Sequence, residues 1–261
     1  MVIPIKTDQE IWKMREGGRL LATIMGELRQ MVEPGISTQQ LEDHFNKRLG
    51  QLDARTAFKG YKNSPSAPPF PSSLCTCINA EVVHAPALPG RVVKEGDLLS
   101  IDAGLIFPKD NGLYVDMAVT VPVSSVNERL LKLIAVAKQS CEETIASLKP
   151  GMSVRDISKS VQHIVQANGF AIVKEFVGHG VGKKLHEEPQ IPNYVDRRFP
   201  NFPLDRGMCL AIEPMIAVGS ADVEILSDGW TAVTADGSMS AHWEHTIVVT
   251  PEGAEVLTKV N

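Results

Sequence analysis

The sequence predicts an α+β protein made of two related halves that share a mostly antiparallel sheet. A Pro-Gly-x-Ser sequence followed by an apolar helical stripe occurs twice, at 34–37 and at 150–153. An apolar strand that ends in an acidic residue also occurs twice, at 96–102 and at 207–213. One match would be chance, but two kinds of element repeated in the same order indicate an internal repeat.

Each half begins with two predicted helices. A capping box at 7–10 precedes the amphipathic stretch 11–32, which ends before the Pro-Gly pair at 34–35. A second capping box, at 37–40, starts a helix with an apolar stripe at helical spacing: Leu41, Phe45 and Leu49. In the second half, the equivalent stripe lies 116 residues later: Ile157, Val161 and Val165.

Strands follow the helices in each half. After the repeated acid-ending strand, Asp116 and Glu244 each open a further β-branched run. No Gly/Ser/Pro-rich linker separates the halves, so we predict one domain over 1–261, divided by the repeat at about 7–123 and 124–261.

Composition excludes several classes of protein. The 261 residues are 43% hydrophobic and 22% charged, which is enough apolar material for a buried core and argues against disorder. No apolar run is long enough to span a membrane, and no basic run accompanies the net charge of -5, so we expect neither membrane nor nucleic-acid binding. Without an export signal, we expect a cytoplasmic protein with four reduced cysteines.

Four acidic residues stand where hydrocarbon is expected. Asp102 and Glu213 lie in apolar strands that contain no Lys or Arg, and Asp116 and Glu244 lie in comparable strands. Each alone is compatible with a cap, a surface position or a strand end that faces water. Four together would repel one another unless divalent cations supplied the missing charge. Oxygen donors in this number favour Mn, Fe, Co or Mg over structural zinc.

Histidines supply the candidate nitrogen groups. His179 lies in GHGVG at 178–182, where the glycines permit close backbone approach, and it is the natural nitrogen ligand. His186 follows seven residues later, and His84 occupies the corresponding part of the first half, although a lone loop histidine is an alternative interpretation. The others have simpler interpretations: His44 and His163 lie on predicted helices, and His242 and His245 flank Glu244 as contacts of a ligand.

Four stretches together resemble the type I methionine aminopeptidases, which have the pita-bread fold: GHGVG at 178–182, HEEP at 186–189, IEPM at 212–215 and EHTIVVT at 244–250. The resemblance covers nearly the whole chain. It implies that two divalent ions, of Co, Mn, Fe, Zn or Ni, are bound by five residues: Asp102, Asp116, His179, Glu213 and Glu244.

The resemblance also implies which residues face the substrate. His84 and His186 match the family's substrate-facing histidines, and Phe70, Cys75 and Trp230 match residues that line its methionine pocket. For Phe70 and Cys75 alone, ordinary core packing is the alternative. The implied activity is removal of the initiator methionine from nascent polypeptides with a small second residue, through attack by a metal-bound hydroxide. Glu213 would also carry a proton. We expect a monomer that works close to the ribosome.

Two other functions fit parts of the same pattern. The first is a proline-directed aminopeptidase of the same fold, although the chain begins at its first predicted helix without that group's amino-terminal domain. The second is a non-catalytic binding module, which would be expected to lose ligands.

Three local departures from the family pattern concern the substrate loops. Ala85 replaces a glycine after His84, Ala80 replaces an acid, and the segment 103–115 between two of the acids is three residues longer than usual. The even separation of those acids predicts an odd-length loop or a bulge between their strands. The Pro-rich segment 64–71 is interpreted as an ordered loop near the site.

Overall fold

The computed structural model describes residues 3–149 and 151–260. The helices are α1 (Asp8–Met31), α2 (Thr38–Gly50), α3 (Glu128–Ser147) and α4 (Val154–Ala167). The strands are β1 (Arg55–Thr56), β2 (Leu74–Ile78), β3 (Glu81–Val83), β4 (Leu98–Phe107), β5 (Leu113–Pro122), β6 (Ala171–Ile172), β7 (Gly178–Gly180), β8 (Glu187–Ile191), β9 (Cys209–Ile212), β10 (Met215–Ala217), β11 (Val223–Ile225), β12 (Ala232–Thr234), β13 (Ser240–His242), β14 (His245–Thr250) and β15 (Gly253–Val256).

Met1, Val2, Pro150 and Asn261 lie outside the described residues, and with them the proline of the second Pro-Gly pair and both ends of the predicted domain.

The predicted helices form where their caps and apolar stripes lie. Thr7 caps α1 and Ser37 caps α2, each through a capping box with the residue three positions later. At the start of α4, Asp156 Oδ2 accepts from the N–H and the hydroxyl of Ser153 at 2.9 and 2.7 Å. Both predicted stripes are buried in the core: Leu41, Phe45, Leu49, Ile157, Val161 and Val165. Burial of these stripes against the sheets holds α2 and α4 in place. No helix in the described ranges is both long and apolar enough to cross a bilayer.

Every strand pair of the described chain is antiparallel, as the predicted α+β class requires. The strands form four hydrogen-bonded groups: β1, β2 and β5 around β4; β13-β10-β6; β11-β12-β3; and β15-β14-β9-β7-β8. The sheet that the two halves share is thus built from several short ladders rather than from one continuous ladder.

The β4–β5 hairpin places two of the acidic residues on one face. Asp102 is opposite Ala118, and Asp116 is opposite Gly104, so the two acids are diagonal neighbours. The ten paired positions run without a bulge to the five-residue loop 108–112. The prediction of an odd-length loop between these strands is confirmed.

The halves meet where β5 lies against β14. The backbone N–H of Glu244 donates to the carbonyl of Ala118 at 2.9 Å. Thr246 Oγ1 accepts from the N–H of Asp116 at 2.9 Å and donates to its carbonyl at 2.8 Å. The Thr246 side chain thus satisfies backbone groups of β5 that a neighbouring strand would otherwise pair with. It joins β5 to β14, although the two strands belong to different hydrogen-bonded groups.

The two halves repeat several backbone details. Gly96 and Gly207 have φ of 88° and 85°, and their N–H groups donate to Val123 and Val249 at 3.0 and 2.9 Å. Isolated antiparallel bridges occur at equivalent places: Ser37 with Val92 and Ser153 with Pro203. The turn before β4 therefore has the same conformation as the turn before β9. The division of one domain into 7–123 and 124–261 stays a prediction.

We predict that Gly207→Ala destabilises the protein more than Gly96→Ala does. Both substitutions place a Cβ in the left-handed region, which costs about 1–2 kcal/mol. At Gly207, the new Cβ would also lie 2.9 Å from the carbonyl oxygen of Lys6, whereas at Gly96 it meets nothing within 4 Å. Urea unfolding measures both free energies. Gly26→Ala, in the interior of α1 with open space around it, is the control and should stabilise by about 0.5–1 kcal/mol. Equal losses at both turns would contradict the crowding argument.

Candidate functional site

A cavity of about 730 Å³ opens where the strands of the two halves meet. Four predicted acids lie in its lining: Asp102, Asp116, Glu213 and Glu244. Three predicted histidines and three predicted wall residues also line it: His84, His179, His186, Phe70, Cys75 and Trp230. The structure therefore brings every residue of the predicted site to one cavity.

The most compact part of the site consists of Asp116, His179 and Glu244. One ligand atom from each of these buried side chains lies within 4.8 Å of the other two. Asp102 joins Asp116 from the neighbouring strand. Buried oxygens Asp102 Oδ1, Asp116 Oδ1 and Glu244 Oε1 have no hydrogen-bond partner among the described residues. Such groups are rarely left unpaired in a native protein unless an ion or water meets them.

Burial and mutual repulsion disfavour the charged forms of these acids. The pKa of Asp102 is well above its usual range because of desolvation, followed by repulsion from Asp116 and Glu213. Desolvation, followed by repulsion from the other acids, likewise raises the pKa of Glu244. Within the described ranges, no Lys or Arg forms an ion pair with any of the four acids. A bound cation would offset the charge of these acids.

His179 is oriented to offer one nitrogen to the acids. Its Nδ1 lies 2.8 Å from the carbonyl of Gly180, so Nδ1 carries the proton and Nε2 keeps its lone pair. Nε2 lies 3.3 Å from Glu213 Oε1. Desolvation by burial lowers the pKa of His179 to about 3, which keeps the ring neutral. A neutral imidazole is the form that binds metal.

Glu213 is supported from two directions. Asn193 Nδ2 donates to its backbone carbonyl at 3.1 Å, and His242 Nε2 lies 3.7 Å from its Oε2. The backbone of His242 is itself fixed by Thr120, whose Oγ1 donates to its carbonyl and accepts from its N–H, each at 2.8 Å. His242 thus lies beside a candidate ligand, as expected. His245 points elsewhere, with Nδ1 3.0 Å from Thr258 Oγ1.

His84 and His186 face the cavity from different sides. His84 has a φ of 63°, which is unusual for a residue with a side chain, and its ring meets Phe176 edge-on at 5.1 Å. The ring of His186 meets that of His179 edge-on at 4.5 Å between centroids. Neither belongs to the compact group of Asp116, His179 and Glu244.

The apolar wall of the cavity is aromatic. Phe70 packs edge-on against Trp230 at 5.2 Å and against Phe58 at 6.4 Å, and Cys75 and Leu185 join the same buried cluster. A wall of this kind accepts an unbranched apolar side chain.

Among the cavity residues that sequence reasoning missed are one leucine and three aromatic residues: Phe58, Tyr61, Phe176 and Leu185. Leu185 directly precedes His186 and Phe176 lies three residues before His179, and this proximity was the usable signal. The others lie far from the acids in sequence.

Sequence comparison relates the chain to known metallopeptidases. The model of metallopeptidase family M24 matches residues 13–251. Methionine aminopeptidase 1 of Bacillus subtilis is 42% identical over 99% of this chain and 100% of its own length. The methionine aminopeptidase of Escherichia coli K12 is 37% identical over 99% of this chain and 94% of its own length.

The fold of the chain is also similar to that of solved structures. The crystal structure of methionine aminopeptidase from Thermotoga maritima superposes with a TM-score of 0.92 at 41% identity, covering 99% of this chain and 100% of that one. A Xaa-Pro dipeptidase from Bacillus anthracis superposes with a TM-score of 0.73 at 19% identity, covering 98% of this chain and 62% of that one. The second likeness is one of fold alone.

We predict that Glu244→Gln stabilises the metal-free protein, and increasingly so as pH rises from 5 to 8. The pKa of Glu244 is higher in the folded chain than in the unfolded chain, so the folded state loses stability as pH rises above the unfolded value near 4.5. The amide removes that loss.

Urea unfolding in excess chelator, at several pH values, gives the difference between variant and parent. Glu252→Gln, on an exposed turn, is the control and should show no such trend. A difference that stays constant with pH would contradict the assignment of a raised pKa to Glu244.

Proposed function

The chain belongs to metallopeptidase family M24, and from that premise we propose that it removes the initiator methionine from nascent polypeptides whose second residue is small. One observation carries the proposal at the site. Four buried acids lie at an opening whose wall is aromatic and apolar, and no Lys or Arg of the described ranges forms an ion pair with them. The charged part suits a metal-dependent hydrolase, and the apolar part suits a methionine side chain.

Two divalent ions fit the donor set better than one. Five side chains would hold them: Asp102, Asp116, His179, Glu213 and Glu244. Two dications would offset four carboxylate charges that the protein otherwise leaves uncompensated. When bound, such ions act as Lewis acids that lower the pKa of a coordinated water and stabilise developing negative charge. Of Co, Mn, Fe, Zn and Ni, metal analysis of the purified protein selects the native ion.

The chain's own groups handle binding and protons. Glu213 holds its carboxylate beside His179 and, in addition to binding metal, carries a proton between water and the leaving amine. His84 and His186 lie outside the compact ligand group and face the scissile amide. There they donate hydrogen bonds to the carbonyl oxygen as it gains charge.

Phe70, Cys75 and Trp230 hold the methionine side chain. Their aromatic and thiol surfaces are buried in one cluster and match an unbranched thioether in shape and polarity. The segment 64–71 ends at this wall, because Phe70 belongs to both. A second residue with a large side chain would meet that segment, which accounts for the preference for small ones.

The biological setting follows from the substrate. Nascent chains carry their initiator methionine in the cytoplasm, so we place the enzyme there, acting as a monomer on chains that emerge from the ribosome. A proline-directed activity is the less favoured alternative, since the prolidase-like neighbours share fold alone.

A peptide assay tests the proposal. Metal-loaded protein should release methionine from Met-Ala-Ser, far less from Met-Lys-Ser, and nothing from Ala-Pro-Ala. Chelation should abolish the activity and lower the melting temperature, and added Mn, Co or Fe should restore both. Release from Ala-Pro-Ala with no preference for methionine would favour the proline-directed alternative. Full activity in metal-free protein would exclude the metal-dependent mechanism.

Trp230→Ala should raise KM for methionine peptides and leave the metal content unchanged. The substitution removes one wall of the pocket but no ligand. Steady-state kinetics and metal analysis give the two quantities. Trp12→Ala, on the exposed side of α1, is the matched control and should leave both unchanged. An unaltered KM would show that Trp230 contributes to core packing and not to the binding of the methionine side chain.

His84→Ala and His186→Ala should each keep the bound metal and lose kcat by roughly 10²- to 10⁴-fold, the range for groups that act on the transition state. Metal content, kcat and KM are measured for both variants. His163→Ala, at an exposed position on α4, serves as the control. Loss of metal from either variant would make that histidine a ligand instead.

A further inference from the structure

We propose that Tyr61 is a positioning residue for His186, whose ring it holds as the neutral tautomer that carries its proton on Nε2. The inference rests on the proposed function, in which His186 acts on the substrate. Tyr61 Oη lies 2.7 Å from His186 Nδ1, and the two rings meet edge-on at 5.1 Å between centroids. This is a short and well-directed contact to one of the two ring nitrogens.

Backbone hydrogen bonds fix the main chain at Tyr61. The carbonyl of Tyr61 accepts from Phe70 N–H at 2.8 Å, and Gly60 N–H donates to the Phe70 carbonyl at 2.8 Å. The N–H of Tyr61 donates to the carbonyl of Phe58 at 2.8 Å. Tyr61 is therefore tied to two residues of the apolar wall, before the chain leaves in the exposed loop 62–69.

The backbone around His186 is fixed independently. Glu187 Oε1 accepts from the N–H groups of Lys183 and Lys184 at 2.6 and 3.0 Å, which closes the loop in front of His186. Glu187 Oε2 forms a buried ion pair with Lys6 at 2.6 Å. With the main chain held in this way, the remaining freedom of His186 is the orientation and tautomer of its ring.

The direction of the Tyr61–His186 hydrogen bond decides the tautomer. A phenol is a good donor and a weak acceptor, and an unprotonated imidazole nitrogen is the better acceptor, so Tyr61 donates and Nδ1 accepts. Desolvation raises the pKa of Tyr61, which keeps its proton in place. Nε2 then carries the ring proton and, within the described residues, makes no other hydrogen bond.

The consequence is a defined task for His186. A ring with its proton on Nε2 donates a hydrogen bond to the substrate, for example to the carbonyl oxygen as it becomes negative, and cannot accept one there. Tyr61 thus assigns His186 to charge stabilisation rather than to proton abstraction.

Tyr61→Phe tests the inference, because it removes the hydroxyl and keeps the ring. The readout is the pair of ¹⁵N shifts of the His186 ring in zinc-loaded protein with ¹⁵N-labelled histidine, assigned by loss of the signal in His186→Ala. We expect an unprotonated Nδ1 in the parent and a mixture of tautomers in Tyr61→Phe. We also expect kcat to fall about tenfold with KM and metal content nearly unchanged, as for one lost hydrogen bond.

Two controls separate positioning from general damage. Tyr114→Phe changes a tyrosine packed against the same apolar cluster and should leave the His186 shifts unchanged. In a His186→Ala background, Tyr61→Phe should cause no further loss of kcat, because a positioning residue acts only through its partner.

The outcomes distinguish this inference from the proposed function. A protonated Nδ1 in the parent, or shifts that Tyr61→Phe leaves unchanged, would overturn the inference even if the protein cleaves methionine peptides. The expected shifts in a protein that cleaves no such peptide would sustain the hydrogen-bond assignment and overturn the proposed function. Equal losses of kcat in both backgrounds would also overturn the positioning role.

Discussion

The arrangement of this protein depends on the burial of four carboxylates in one place, where no Lys or Arg of the described residues forms an ion pair with them. Desolvation and mutual repulsion raise the pKa values of Asp102, Glu213 and Glu244. Bringing such groups together costs several kcal/mol per charge unless cations join them. The two halves must therefore be held together by other interactions before any metal arrives. Backbone and threonine hydrogen bonds between β5 and β14 provide part of that support.

The same hydrogen bonds hold the backbone of two candidate ligands, Asp116 and Glu244. Asp116 lies within the ten-residue strand β5, and Thr246 forms hydrogen bonds with both the N–H and the carbonyl of Asp116. Glu244 lies between β13 and β14, directly before the first residue of β14, and its N–H is paired across the interface. A carboxylate fixed by its backbone on both sides loses little further entropy on binding an ion, so more of the ion's binding energy goes into affinity.

The helices, the paired strands and the candidate ligands could be predicted from the sequence because each leaves a local signal. Capping boxes mark the starts of α1 and α2, and an acid in a hydrocarbon run marks Asp102. The division of the shared sheet into short ladders has no such signal, because it depends on Thr246 meeting Asp116 across 130 residues. Tyr61 was missed for the same reason: its partner His186 is 125 residues away.

The internal repeat accounts for the positions of the candidate metal ligands but not for the positions of the residues in the apolar wall. Asp102 and Glu213 occupy corresponding positions of the repeat, in β4 and directly after β9, and both line the cavity. Phe70 and Trp230 lie outside the repeated strands. A substrate is not symmetric, since one end of the scissile bond carries a side chain that must be recognised. Under the proposed function, metal binding and side-chain selection are therefore free to change separately, because they are assigned to different residues on different segments.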